Sequence, residues 1–222
     1  MRTLHHFWLC PFSRKVRIVL AEKELDFELK FEKFWERRDE FLRLNPAGQV
    51  PVLVEPDGRA LSESGAICEY LDETFSAESL LGPDARARAE TRRLVAWFDL
   101  KFYAEVTQNL VDEKVLKRFT NMGEPSSEAM RAGRQNVGYH LDYIAYLADR
   151  RNWLAGDDFS LADIAAAAQL SCVDFLGDVP WDSHGAAKDW YARVKSRPSF
   201  QPLLKDSVAG FHPPHHYADL DF

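Results

Sequence analysis

The sequence predicts an α/β layer domain followed by an all-helical domain. Three observations predict it. Up to residue 77 the segments run in the order βαβαββα, a short polar stretch with Gly82-Pro83 then interrupts the chain, and every periodic segment beyond it has helical spacing. The expected boundaries are 1–77 for the layered domain, 85–205 for the helical domain and 206–222 for an extended tail. With 222 residues, 46% of them apolar and 15 Phe, 7 Tyr and 6 Trp among them, the chain can bury cores without disulfides or metals.

Residues 3 to 9 are aromatic and branched and stop at Cys10-Pro11, as a strand entering a turn does. In the helix that follows, Val16, Ile18, Val19 and Leu20 form the apolar side, and Arg14, Lys15, Arg17, Glu22 and Lys23 take the other face. Phe27 to Phe31 alternates like a second strand, and Glu36 to Leu44 reads as a short charged helix ended by Asn45-Pro46-Ala47-Gly48. Val50 to Glu55 and Ala60-Leu61 are strands joined at Pro56-Asp57-Gly58, and Ser64 is positioned to cap a helix reaching Phe75.

In the second domain, Arg86 to Arg118 is a helix with Leu94, Trp97, Phe98, Phe102 and Val106 as its apolar positions, and Ser127 to Arg150 is another with Val137, Leu141, Ile144 and Leu147. Ser160-Leu161-Ala162-Asp163 has the spacing of a capping box and opens a third helix, and Ala186 to Ser196 makes a fourth. The segment after Phe211 is too rich in Pro and His to continue a helix. It lies beyond the last helix, so residues 217–222 are expected to be dispensable to the fold.

Charge and cysteine content exclude several classes of function. The 28 Lys and Arg against 35 Asp and Glu leave a net charge of −7, which opposes duplex nucleic acid and anionic membrane surfaces. Cys10, Cys68 and Cys172 are widely spaced, with no C-x-x-C pair, which suits a reducing cytoplasm. Arg2, Arg14, Lys15 and Arg17 break up the early apolar stretch, so no signal-peptide pattern is seen. Leu161 to Leu176 is interrupted by Asp163, Gln169 and Asp174 and reads as a core helix, not a membrane span. His212, His215 and His216 lack the spacing and cysteine partners of a metal site, so no metal is expected.

Cys10-Pro11-Phe12-Ser13 lies between a strand and a helix start, where free N–H groups and the helix dipole favour a thiolate; a small buried thiol beside a capping serine is the equal alternative. Gln49-Val50-Pro51 at a strand start would leave backbone groups free to pair with an extended ligand. Glu63-Ser64 could hold an amino-acid head group by both its ammonium and its carboxylate, or simply cap a helix. Cys68 and Cys172 are expected in the core.

Taken together, these segments resemble the glutathione S-transferase superfamily over nearly the full chain. Cys10-Pro-Phe-Ser13 is similar to its active-site turn, Asn45-Pro-Ala-Gly-Gln-Val-Pro51 to its cis-proline segment, Glu63-Ser-Gly-Ala-Ile-Cys-Glu-Tyr-Leu71 to its γ-glutamyl motif, and Ser160-Leu-Ala-Asp163 to the capping box of its helical domain. The resemblance implies a thioredoxin-like first domain, a helical-bundle second domain and a homodimer. It also implies glutathione contacts at Gln49, Val50, Pro51, Glu63 and Ser64, with Cys10 or Ser13 as the catalytic group if the protein is an enzyme.

A narrower resemblance runs through Trp35-Glu-Arg-Arg, Val111-Asp-Glu-Lys114, Tyr139-His-Leu-Asp-Tyr143, Gly177-Asp-Val-Pro-Trp181 and Tyr217-Ala-Asp-Leu-Asp-Phe222. It points to an alphaproteobacterial subgroup that includes a division protein binding the tubulin-like FtsZ. That resemblance implies FtsZ polymers as partner, a cytoplasmic location at midcell, little or no transferase activity, and no required cofactor. The partner-binding candidates are Trp35, Glu113, Lys114, Asp219, Asp221 and Phe222. The alternative is a glutathione-dependent transferase or thiol reductase, with glutathione as substrate. The tail itself is acidic and aromatic and either docks on a partner or packs back on the helical domain.

Overall fold

In the computed structural model, which describes residues 1–75 and 78–220, the chain divides into two units, Met1–Ser79 and Leu80–Phe222. The first carries β1 (Arg2–His6), α1 (Pro11–Glu22), β2 (Phe27–Phe31), α2 (Asp39–Leu44), β3 (Val52–Val54), β4 (Ala60–Ser62) and α3 (Ser64–Thr74). The sheet order is β2-β1-β3-β4, with β1 and β2 parallel and the other two pairings antiparallel. This is the mixed four-stranded sheet of a thioredoxin-like layer. Its core is built by Leu4, Val16, Ile18, Val19, Leu20, Leu53, Ile67 and Leu71, all fully buried.

Several local expectations are revised. The first strand ends at His6, earlier than residue 9, because the chain turns there and the Cys10 N–H donates to the Phe7 carbonyl at 3.1 Å. The charged helix starts at Asp39, not Glu36: Phe34–Glu36 is a separate 3-10 turn, and Arg37 adopts φ 48°, a conformation no helix continues through. The cap of α3 is Glu63, whose side chain accepts from the Gly65 and Ala66 N–H groups, and Ser64 is the first helical residue.

The polar face expected for α1 is also corrected, since Arg14, Lys15, Arg17 and Lys23 are buried. Long cationic side chains can bury their stems where their heads find partners. Arg14 donates to the Trp8 carbonyl at 2.8 Å, and the Arg17 guanidinium lies 5.4 Å from the Trp8 ring centre. Lys23 pairs with Asp72 at 2.7 Å and donates to the Glu78 carbonyl at 2.8 Å, fastening the end of α1 to α3.

The second unit contains α4 (Ala85–Ala96, Trp97–Leu116 and Lys117–Thr120 in one continuous run), α5 (Ser127–Ala148), α6 (Leu161–Phe175) and α7 (Gly185–Lys195). In its middle stretch α4 is wound as a π-helix. The apolar positions there, Phe98, Phe102, Val106, Leu110, Val111 and Val115, recur every four or five residues and are all buried. At 3.6 residues per turn a spacing of four drifts by about 40° at each step, so wider winding keeps this row facing α5 and α6. Every residue of α6 is buried, as suits a central core helix. Cys68 and Cys172 are buried too. No helix among the described residues is long and apolar enough to cross a membrane.

The tail, expected to be dispensable, packs against the helical domain up to Asp219. Tyr217 is fully buried, stacks edge-on to Phe175 at 5.2 Å and donates to the Leu203 carbonyl at 3.3 Å. The buried Lys195 ammonium donates to the carbonyls of His216 and Asp219, and His216 Nε2 meets Asp174 Oδ1 at 3.0 Å. Packing back on the helical domain is therefore the reading that applies to Tyr217. Asp221 and Phe222 lie outside the described residues.

Candidate functional site

Strand register brings the three chemical segments of the first unit to one end of the sheet. His5 pairs with Val52 and Val52 pairs with Ser62, so the turn after β1, the segment before β3 and the residues after β4 share an edge. Cys10 sits at the N-cap of α1, half-buried, with φ −86° and ψ 113°, and Pro11 opens the helix without sacrificing a bonded N–H. Its Sγ lies 3.9 Å from the Val50 carbonyl oxygen, the acceptor that a protonated thiol would meet. One turn into the helix, Ser13 is fully buried and its Oγ has no hydrogen-bond partner.

Val50 and Pro51 are joined by a cis peptide bond. The preceding loop is held by Asn45, whose Nδ2 donates to the Gln49 carbonyl at 2.8 Å and whose Oδ1 accepts from the Ala47 N–H at 3.1 Å. Among the described residues no protein group accepts from the Val50 N–H. The Val50 side chain itself is largely buried.

Glu63 stands at φ 74° and ψ 120°, a strained conformation for a residue with a side chain. Its Oε2 accepts from Gly65 N at 3.0 Å and Ala66 N at 3.1 Å, while Ser64 Oγ lies 3.4 Å from Oε1. The carboxylate thus occupies the helix N–H groups that an incoming ligand carboxylate would need. A head group could still bind by its ammonium, or could displace the side chain.

The partner-binding candidates are spread out. Trp35 lies on the turn after β2, half-buried, edge-on to Phe7 at 5.7 Å and to Phe34 at 5.3 Å. Arg38 steadies this turn by a two-point contact with buried Glu32, at 2.7 and 3.2 Å. Glu113 Oε2 accepts from Lys117 at 2.7 Å and from the Ser126 N–H at 2.6 Å, and the Lys117 contact holds its carboxyl below the usual range. Lys114 pairs with Asp178, which also takes Arg134 at 3.1 Å. Both residues are therefore engaged within the chain. Asp219 keeps its side chain exposed.

Two features have no counterpart in the sequence reading. Trp97, Lys101, Glu105, Asn136, Tyr139, His140 and Tyr143 line a cavity of about 410 Å³ between α4 and α5. There the Trp97 indole donates to His140 Nδ1 at 3.1 Å and His140 Nε2 meets Glu105 at 3.0 Å, while burial pushes the imidazole pKa down. Second, burial pushes Asp112 up to about 6, against the 2.9 Å hydrogen bond it accepts from Tyr103. Helical periodicity signals neither, because both depend on which polar faces meet. Among the described residues no group of three or more His, Cys, Asp or Glu could hold a metal ion.

Family models for the glutathione S-transferase N-terminal domain and C-terminal domain match residues 9–74 and 113–198. The chain is 50% identical to "FtsZ-localized protein A" of Caulobacter vibrioides over 224 residues, covering 100% of this chain and 98% of that protein. Among solved structures, one described as a glutathione S-transferase from Rhodospirillum rubrum F11 is 58% identical, with a TM-score of 0.98 and full coverage of both chains. Another, FzlA from C. crescentus, is 50% identical with a TM-score of 0.96, covering 100% of this chain and 99% of that one.

Proposed function

This chain belongs to the glutathione S-transferase family, and from that premise we propose that it is a division protein that binds FtsZ polymers and modulates their assembly, with little or no transferase activity. The observation that carries this reading is end-to-end identity of 50% with a protein named for its localisation to FtsZ. The reading places the protein in the cytoplasm at midcell and requires no cofactor. It also takes the working form to be a homodimer, for which the exposed Leu100 (69%), Tyr139 (64%) and Tyr146 (52%) supply apolar surface on α4 and α5. Trp35, with Asp219, Asp221 and Phe222, offers aromatic anchors and steering charge; Glu113 and Lys114 would act by shaping the surface between α4 and the loop at Asp178.

Co-sedimentation of the purified protein with FtsZ polymers tests the reading. It is expected to pellet with them, and failure to do so at micromolar concentrations would overturn the proposal. Since Tyr217 belongs to the fold, the tail is probed by Asp221→Lys, expected to weaken co-sedimentation while the thermal midpoint stays near wild type.

A glutathione-dependent enzyme is the second reading, favoured by the unpartnered Ser13 Oγ and the open Val50 N–H. Here Ser13 would donate a hydrogen bond to the glutathione thiolate, or Cys10 would attack a mixed disulfide, taking up the glutathionyl group and expelling the other thiol. Calorimetric titration with glutathione separates the two readings, because tight binding would favour the enzyme.

A further inference from the structure

Lys195 stands in an uncommon place for a lysine. Arg193, in the same last turn of α7, is exposed and donates to the Asn152 carbonyl, whereas Lys195 is fully buried. A methionine would fill the same space without desolvating a charge, so a lysine there needs specific partners to offset its burial. Burial pulls its pKa down to about 8 and Lys188 acts in the same direction, while Asp174 and Asp219 act against them. At pH 7 the group is therefore still an ammonium with three donors. On its own helix, the Tyr191 ring centre lies 5.7 Å from the Nζ.

The donors reach the tail backbone on both sides of Tyr217. One goes to the His216 carbonyl at 3.2 Å and one to the Asp219 carbonyl. His215–Tyr217 is a 3-10 turn, and carbonyls at the end of such a turn have no donor within it, so a cation placed there satisfies them. The His216 ring makes a second tie, to Asp174 Oδ1, which also accepts from the Trp181 indole at 2.8 Å. Tyr217 by itself would hold the chain at one point. Lys195 adds a point on each side and so fixes the direction of the backbone through the turn, while the side chain of Asp219 stays exposed.

We propose that Lys195 is a positioning residue for partner binding, which touches no partner itself and acts by holding the backbone on both sides of Tyr217 so that the Asp219 carboxylate is presented in one place. The proposal rests on the reading in which the tail contributes to the FtsZ contact. A loose terminus gives up conformational freedom when it docks, whereas a terminus already held in place has given it up on folding and binds more tightly for the same contacts. A buried lysine thereby controls the affinity of an exposed acid.

Hydrogen exchange and co-sedimentation with FtsZ polymers, both on the full chain, test this. Lys195→Met should speed exchange of the Tyr217 and Asp219 amides about tenfold, leave the α6 amides protected and weaken co-sedimentation about tenfold. Asp219→Asn should weaken co-sedimentation about threefold without loosening the Tyr217 amide. Because Lys195 acts through the tail, the double variant should bind no worse than Lys195→Met alone, a non-additivity that a general loss of stability does not produce. Unchanged tail exchange in Lys195→Met would overturn the proposal. So would a loosened tail with wild-type co-sedimentation, or losses that simply add in the double variant. If Lys195→Met does not fold, Lys195→Gln keeps a donor without the reach to both carbonyls and is held to the same outcomes. A wild-type chain that does not pellet with the polymers would overturn the FtsZ reading, and this proposal with it, whatever the exchange of the tail.

Discussion

At the start of α6, Asp163 is fully buried and its two oxygens accept from Leu154 N and Trp190 Nε1, both at 2.9 Å, and from Ser160 N and Oγ, both at 3.1 Å. At the start of α3, Glu63 is exposed, its Oε2 alone takes two helix N–H groups, and its backbone is strained at φ 74°. Both helix starts combine an acid with a serine. In α6 every lone pair is committed and a network far from water ties a loop, a cap and α7 together, so the group acts as a structural pin. In α3 the cap is local, solvated and replaceable, which is what a position available for ligand exchange needs. The same residue types therefore form a buried network in one place and a local, exposed cap in the other, according to burial and the number of donors that converge.

The largest expected effect removes the pin. Asp163→Ala leaves four buried donors without their acceptor and should lower the unfolding free energy by about 3–5 kcal/mol, measured by urea denaturation. A loss below about 1 kcal/mol would mean that the α6 network is no stronger than an ordinary cap.

Asp112 offers an intermediate case, a half-buried acid with a single donor, Tyr103. An unfolded aspartate titrates near 3.9, whereas burial pushes Asp112 up to about 6. Between these values the folded state holds a proton that the unfolded chain has released, so stability falls as pH rises through that interval. Asp112→Asn should therefore raise stability by about 1–2 kcal/mol at pH 7.5 and leave it unchanged near pH 4. Equal stability of variant and wild type across that range would show that one donor suffices.

Smaller effects sharpen the contrast at the two caps. Ser160→Ala removes the hydroxyl that receives the Ala162 N–H at 3.3 Å and should cost about 1 kcal/mol. Glu63→Gly trades a lost cap for relief of the positive φ, so the thermal midpoint should move by no more than about 0.5 kcal/mol equivalent. Any heat of glutathione binding should disappear in that variant. A large loss of stability there would place Glu63 with the structural acids, and retained binding would remove it from the ligand site.

The capping box at Ser160–Asp163 was legible because its bonds join residues three apart, and the Cys10 turn and the cis-proline segment were legible because proline restricts the backbone next to it. The Glu63 cap was missed by one residue: a serine hydroxyl is the commoner cap, and nothing in the local pattern marks Glu63 as adopting a positive φ.

What the sequence determined by itself was the order of elements, their approximate limits and the capping box that opens α6, all set by interactions within a few residues. The tertiary structure decided which polar faces are buried. It turned the cationic side of α1 inward, wound the middle of α4 wider to keep its apolar row on α5 and α6, and closed the tail on Lys195 with Tyr217 against Phe175. Apart from Trp8, which meets Arg14 and Arg17 from the turn just before α1, the partners lie tens of residues away or on another element. Periodicity reports which side of a helix is apolar, but the environment of the other side depends on what the fold brings against it.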